Sequence, residues 1–209
     1  MDKKSAIFDM DGTLIDSMGF WENLATEYLT ARGVAEIPAK LLEQIKPMTM
    51  SESAELFKQA FRLTGDVEAE MNAIMDEHYR KDIPLKPGVR EHLENLHRQG
   101  VLMCVASATA EPLMESCLER LSVRHFFEFL LSCETVGAGK HSPLVYQESA
   151  KRLGGDPREI AVYEDALYAV QTAKEAGFHV VGVYDDGAAG NWQTIGKIAD
   201  EIINWEEAR

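Results

Sequence analysis

The sequence predicts an α/β protein, a parallel β-sheet flanked by helices, with a wholly helical segment inserted after the first strand. Three observations predict it. Short apolar runs alternate with amphipathic stretches over most of the 209 residues, the pattern of parallel strands joined by crossover helices and covered on both faces. Glycine and proline fall where such elements end and begin: Gly100 and Gly177 close helices before strands, and Pro112 and Pro143 open them. Finally, residues 16 to 86 contain no convincing strand.

The elements follow in order. The first strand is Ser5–Phe8. In the insert, Trp21, Leu24, Ala25, Tyr28 and Leu29 recur at helical spacing, as do Leu56, Phe57, Ala60 and Phe61, then Met71, Ile74, Met75 and Tyr79. The chain leaves the insert through the turn-rich stretch Ile83-Pro84-Leu85-Lys86-Pro87-Gly88. Residues 1–15 and 87–209 are therefore expected to form the core domain and residues 16–86 a helical one. A helical module on two hinges beside a strand end can serve as a lid, or simply as a second packing layer. Helical patterns then span Val89–Gln99, Pro112–Leu121, Leu144–Leu153, Ala166–Ala176 and Trp192–Ala199. Strands are expected at Val101–Ala106, Phe129–Ser132, Ile160–Tyr163 and His179–Val183, with a weaker sixth at Glu201–Ile203. There is no internal repeat.

Composition narrows the function. The formal net charge is -14 and Lys and Arg form no basic block, so a nucleic-acid backbone would be repelled. The three cysteines, Cys104, Cys117 and Cys133, match neither a metal-binding spacing nor a disulfide framework. Reduced thiols and a cytoplasmic setting are expected. The beginning of the chain lacks the long apolar stretch of a signal peptide, and no apolar run is long enough to span a membrane.

The strongest chemical signal is Asp9-Met10-Asp11-Gly12-Thr13, directly after the apolar strand Ser5–Phe8. Ligands bind beyond the carboxyl ends of strands in open parallel sheets, and there the chain can deliver both carboxylates into one cleft. Gly12 allows a sharp departure. Two close carboxylates repel unless a proton or a cation intervenes, and a hard cation such as magnesium would relieve that repulsion. The alternative is an acidic turn with no ligand.

This string resembles the DxDGT signature of the haloacid-dehalogenase-like phosphohydrolases, in the beta-phosphoglucomutase and phosphoglycolate-phosphatase branch. Three further segments resemble the family's motifs in the same order. Ser107-Ala108-Thr109 follows an apolar strand, as does the family's phosphate-binding Ser or Thr. Gly139-Lys140-His141-Ser142-Pro143-Leu144-Val145-Tyr146 resembles GKPxPxxY, with His141 in place of Pro and Leu144 where an acid is common. Glu164-Asp165-Ala166, followed by Ala169, Ala173, Ala176 and Gly177, resembles EDSxxGxxAAxxAG, with Ala166 in place of Ser and Ala169 in place of Gly.

The resemblance implies a Rossmann-like core with an inserted helical cap, and phosphoryl transfer assisted by Mg2+. Asp9 would attack phosphorus, and Asp11 would serve as general acid and then base. Ser107 and Ala108 would hold the phosphoryl group, and Lys140 would offset its charge and help hold Asp9 ionised. Asp9, Asp11 through its carbonyl, Glu164 and Asp165 would hold the metal. The partner is then a small phosphate ester, and the protein a monomer or weak homodimer. Haloacid dehalogenation is disfavoured, because Asp11 and Gly12 fit phosphoryl transfer.

A phosphatase and a phosphosugar mutase share this core. Beta-phosphoglucomutases carry a His after the first motif and a phosphate-holding Arg in the cap. Here Trp21 takes the His place, and Ile45-Lys46-Pro47-Met48-Thr49-Met50-Ser51 contains no Arg. Both departures favour a phosphatase. Lys46 could meet a second negative group, Trp21 is expected to pack inside the insert, and His141 to lie in a loop at the substrate fringe. A binding module without turnover is a third reading.

Overall fold

A run of four apolar or small residues, Ser-Ala-Ile-Phe, forms strand β1 (Ser5–Phe8), buried along its whole length. In this computed structural model, which describes residues 3–45, 48, 50–205 and 207, β1 lies inside a six-stranded sheet. The other strands are β2 (Leu102–Ser107), β3 (Phe129–Ser132), β4 (Ile160–Glu164), β5 (His179–Val183) and β6 (Glu201–Ile203). Their order is β3-β2-β1-β4-β5-β6 and every pairing is parallel. Ile7 lies level with Cys104 on one side and with Val162 on the other.

The chain divides into two compact units, Met1–Met18 with Ile83–Arg209, and Gly19–Asp82. The junctions fall inside the expected insert of residues 16–86. The bonding of the two crossing segments accounts for this. Ile15 bridges both Asp11 and Leu85, the Asp16 N–H donates to Pro84 O, and the Lys86 N–H donates to Leu14 O. These contacts keep residues 14 to 16 and 83 to 86 with the sheet.

The insert carries α1 (Met18–Ala31), α2 (Ala39–Ile45), α3 (Met50–Phe61) and α4 (Val67–Lys81). Leu24, Ala25, Tyr28 and Leu29 of α1 are buried, as are Met71, Met75 and Tyr79 of α4. This is the helical periodicity read from the sequence. Trp21 packs edge-on against Tyr79, and the Asp66 side chain caps α4 by accepting the Ala69 N–H. The short helix α2 has only seven residues, with two leucines and an isoleucine, so its pattern is too brief to read. Lys46 lies outside the described residues.

The sheet unit carries α5 (Val89–Arg98), α6 (Glu111–Arg120), α7 (Cys133–Val136), α8 (Leu144–Leu153), α9 (Leu167–Glu175) and α10 (Trp192–Ile198). Successive strand residues face opposite sides of a sheet. Ile7, Cys104, Leu131 and Val162 accordingly join one core cluster with Val145 and Tyr146 of α8 and Val170 and Ala173 of α9. Phe8 points the other way, stacked on Tyr163 at 4.3 Å and edge-on to His92 of α5.

Strand boundaries moved slightly from expectation. Val101 precedes β2 because its N–H closes the end of α5 on Leu96 O, and the strand continues through Ser107. All three cysteines are buried and unpaired, and burial pushes the Cys104 thiol up to about 12. No helix among the described residues is long and apolar enough to cross a membrane.

Candidate active site

From β1 the chain builds β2 and β3 on one side, then β4 to β6 on the other. The carboxyl end of β1 is therefore a topological switch point, where loops diverge and leave a crevice. Asp9 is the next residue, fixed by its N–H to Tyr163 O at 3.0 Å. Ser107 ends β2, Glu164 ends β4 and Asp165 follows it. Lys140 arrives from the loop between α7 and α8.

Beyond Asp9 the backbone folds tightly back, with the Leu14 and Ile15 N–H groups both donating to Met10 O. Gly12 makes this turn possible at a φ of 74°. A Cβ there would lie 2.5 Å from Oδ2 of Asp165, so only glycine lets the first loop approach the fourth-strand carboxylate. Thr13 ties the same two segments together, its hydroxyl donating to Asp165 Oδ1 at 3.0 Å.

The charges at this point are buried. Lys140 Nζ lies 2.5 Å from Asp9 Oδ1 and 2.7 Å from Glu164 Oε1. Tyr146 also donates to Glu164 Oε1, at 2.7 Å. Burial raises the pKa of Asp9, with Asp11 adding to the rise and Lys140 opposing it. Burial and Asp9 push Glu164 well up, and Asp165 rises to about 7 through burial, then Asp9 and Asp185. Burial alone would lower the pKa of Lys140, but Asp9 and Glu164 outweigh it and hold the ammonium charged.

One cation does not satisfy three carboxylates. Asp9, Glu164 and Asp165 each present an oxygen within 4.8 Å of the others, and Glu164 Oε2 is buried with no hydrogen-bond partner. A buried, unpaired carboxylate oxygen is costly. An all-oxygen donor set with an excess of negative charge fits a hard divalent cation.

Asp11 sits beside this group rather than in it. Its carboxylate accepts from Ser17 Oγ and from Thr109 Oγ1, both at 2.7 Å. Ser107 is buried, and its Oγ accepts the Thr109 N–H at 3.1 Å, while Ala108 is exposed. The structure thus brings Asp9, Lys140, Glu164 and Asp165 into direct contact or near it, and links Asp11 to the Ser107 loop through Thr109. His141 stacks on Tyr168 at 4.4 Å.

Sequence reasoning missed Ser17 and Thr109 as partners of Asp11. Thr109 stands within a quoted motif and Ser17 a few residues past the first one, but a serine or threonine near a helix start ordinarily reads as a cap. Thr13 and Tyr146 stood within quoted motifs, yet nothing in the spacing indicated which carboxylate each would meet.

Comparison with known proteins gives a consistent result. The chain is 29% identical over 180 residues to hexitol phosphatase B of Escherichia coli (strain K12), covering 82% of this chain and 79% of that protein. It is 28% identical over 198 residues to the phosphorylated carbohydrates phosphatase of Thermotoga maritima, covering 89% of each. A crystal structure from Thermotoga maritima, described as a candidate beta-phosphoglucomutase, superposes with a TM-score of 0.82 at 24% identity, covering 98% of this chain and 95% of its own. The sequence profile of the haloacid dehalogenase-like hydrolases matches residues 6–183, from within β1 to the end of β5. That match takes in Asp9, Ser107, Lys140 and Asp165 together, and the chain belongs to the haloacid dehalogenase-like hydrolase family.

Proposed function

We propose that this chain is a phosphatase that hydrolyses a small phosphorylated metabolite through a phosphorylated Asp9. The names of its relatives include phosphatases of hexitol phosphates, phosphorylated carbohydrates and phosphoglycolate, and the ester is of the sugar phosphate, phosphoglycolate or nucleotide type. The observation that carries the reading is the 2.5 Å contact between Lys140 and Asp9 at the carboxyl end of β1. A nucleophilic carboxylate must be ionised, and burial works against that. Lys140 opposes the rise and holds a charged oxygen where a phosphoryl group can reach it.

In the first step an Asp9 oxygen bonds to phosphorus as the ester P–O bond breaks. Asp11 delivers its proton to the departing oxygen, which leaves as the alcohol. In the second step Asp11, now a carboxylate, takes a proton from water. That water oxygen bonds to phosphorus as the Asp9 O–P bond breaks. Phosphate departs, and both side chains return to their starting states. Ser17 and Thr109, each 2.7 Å from Asp11, orient its carboxylate for both transfers. Ser107 and the Ala108 N–H receive phosphoryl oxygens, and Lys140 offsets their charge.

Asp9, Asp165, the Asp11 carbonyl and Glu164 would hold Mg2+, with Glu164 Oε2 as the atom still lacking a partner. Bound there, the ion supplies positive charge to the transferring group and offsets the carboxylate repulsion. The Gly19–Asp82 unit would act as a cap that selects the leaving group. Three buried, unpaired thiols suit a cytoplasmic enzyme.

The test is phosphate release from sugar, hexitol, glycolate and nucleotide phosphates, with magnesium or with a chelator. Wild type should turn over at least one ester only with the metal, and Asp9→Asn should lose at least about a thousandfold. Unchanged turnover in Asp9→Asn would remove Asp9 as the nucleophile. Absent hydrolysis, with fast conversion between hexose phosphates once a bisphosphate primer is added, would make the chain a mutase.

A further inference from the structure

A second buried ion pair lies at the same edge of the sheet and belongs to none of the family motifs recognised in the sequence. Lys86 Nζ is 2.6 Å from Asp185 Oδ2 and also donates to Tyr184 O at 2.9 Å. The Lys86 side chain is 10% exposed and that of Asp185 is 4% exposed. Asp165 is the first residue past β4 and Asp185 the second past β5, and these strands pair with Glu164 level with Gly182. Neighbouring strands run about 5 Å apart, so the two aspartates leave adjacent strand ends toward one crevice.

We propose that Asp185 and Lys86 are a positioning pair that sets the cation affinity of the Asp9–Glu164–Asp165 cluster without touching the ion. Both oxygens of Asp185 are engaged within its own loop and with Lys86: Oδ2 faces Lys86, and Oδ1 accepts the Gly187 N–H at 2.8 Å. Its influence is therefore through space. Burial keeps that influence strong, because little water intervenes to screen it.

Lys86 has the complementary task. An uncompensated buried Asp185 would add a further negative charge to a site already carrying three carboxylates. Lys86 cancels that charge and fixes the carboxylate in place. It belongs to the returning segment, its N–H bonded to Leu14 O in the loop that follows Asp9. One residue thus braces the first loop through its backbone and the fifth-strand edge through its side chain.

This inference rests on the proposed cation site, and the experiment separates the two. Mg2+ binding to the full-length protein is measured by titration calorimetry for wild type, Asp185→Asn, Lys86→Met and the double variant, with thermal unfolding as the check on folding. Asp185→Asn leaves Lys86 uncompensated and should weaken binding by about tenfold. Lys86→Met leaves Asp185 uncompensated and should tighten it by a similar factor. The double variant removes both charges and should return close to wild type. If Lys86→Met does not fold, Asp185→Asn and the double variant decide by the same recovery. Affinity that falls in every variant, and falls furthest in the double, would mean a packing role only and would overturn the inference. Absence of Mg2+ binding by wild type would overturn it together with the cation site.

Discussion

Two histidines, one in each unit, meet opposite environments. His92 of α5 is packed among Phe8, Tyr163 and Trp205, with its Nε2 3.0 Å from the Tyr163 hydroxyl. Burial lowers its pKa to about 4. His78 of α4 lies between two carboxylates, Nδ1 at 2.8 Å from Asp82 and Nε2 at 2.9 Å from Glu27. Burial works against its charge too, but the bonds to Glu27 and Asp82 outweigh it and raise the pKa. A similar contrast separates the buried ion pairs of the sheet unit from the surface pairs that both units carry. The buried charge of the sheet unit is concentrated at the strand ends, on Asp9, Lys140, Glu164, Asp165, Lys86 and Asp185. In the helical unit, pairs such as Lys81 with Glu77 lie on the exposed face of a helix. Exposed pairs add little to stability, whereas a buried charge is costly unless it is matched. The expensive charges are gathered where the chemistry is proposed.

The hardest break of this contrast is Lys140→Met. It leaves Asp9 and Glu164 buried without their shared cation, and removing one partner of a buried pair costs about 3–5 kcal/mol. Denaturant unfolding should show a loss of that order, and phosphate release should fall by at least about a hundredfold. A variant as stable as wild type would show that the two carboxylates are otherwise satisfied.

The histidines give an intermediate and directional effect. His92 is held neutral, so its contribution is complete above the unfolded pKa of about 6.5. It is lost as pH falls from there to about 4, on the order of 3 kcal/mol in all. His78 has the opposite sign. Its contribution is complete below the unfolded pKa and disappears as pH rises through its raised folded value. Between pH 7 and pH 5, His92→Phe should therefore flatten the stability curve and His78→Gln should steepen the loss on acidification. Unfolding monitored by Trp fluorescence at a series of pH values checks both slopes.

The smallest effect belongs to Lys81→Ala. Its partner Glu77 is one helical turn earlier at 2.5 Å, with both side chains more than 60% exposed. No measurable change in melting temperature is expected. A clear drop would mean that this surface pair is part of a larger network.

The sheet was legible because parallel strands buried on both faces need apolar runs whatever their neighbours are. Ser5–Phe8 and His179–Val183 could be read for that reason alone. The short helices α2 and α7 could not. Cys133–Val136 is a single turn capped by Ser132, and one turn carries no periodicity. Strand order was likewise hidden, since β1 pairs with β2 and β4, which follow it by more than ninety residues. The residue types of the site were visible because each stands where an apolar strand stops, or in a loop that resembles a known motif. That Lys140 serves Asp9 was implied by the resemblance, but its second contact with Glu164 and the pairing of Lys86 with Asp185 were not, because local spacing says nothing about partners remote in the chain.

The sequence by itself determined the alternation of strands and helices, the helical character of the insert, and the family to which the motifs belong. All three depend on short-range patterns of apolar, acidic and glycine residues. Only the tertiary structure decided that Lys140 stands between Asp9 and Glu164, that Ser17 and Thr109 hold Asp11, and that Lys86 faces Asp185. Electrostatic interactions depend on distance and burial, and both exist only once the chain has brought remote segments to one end of the sheet.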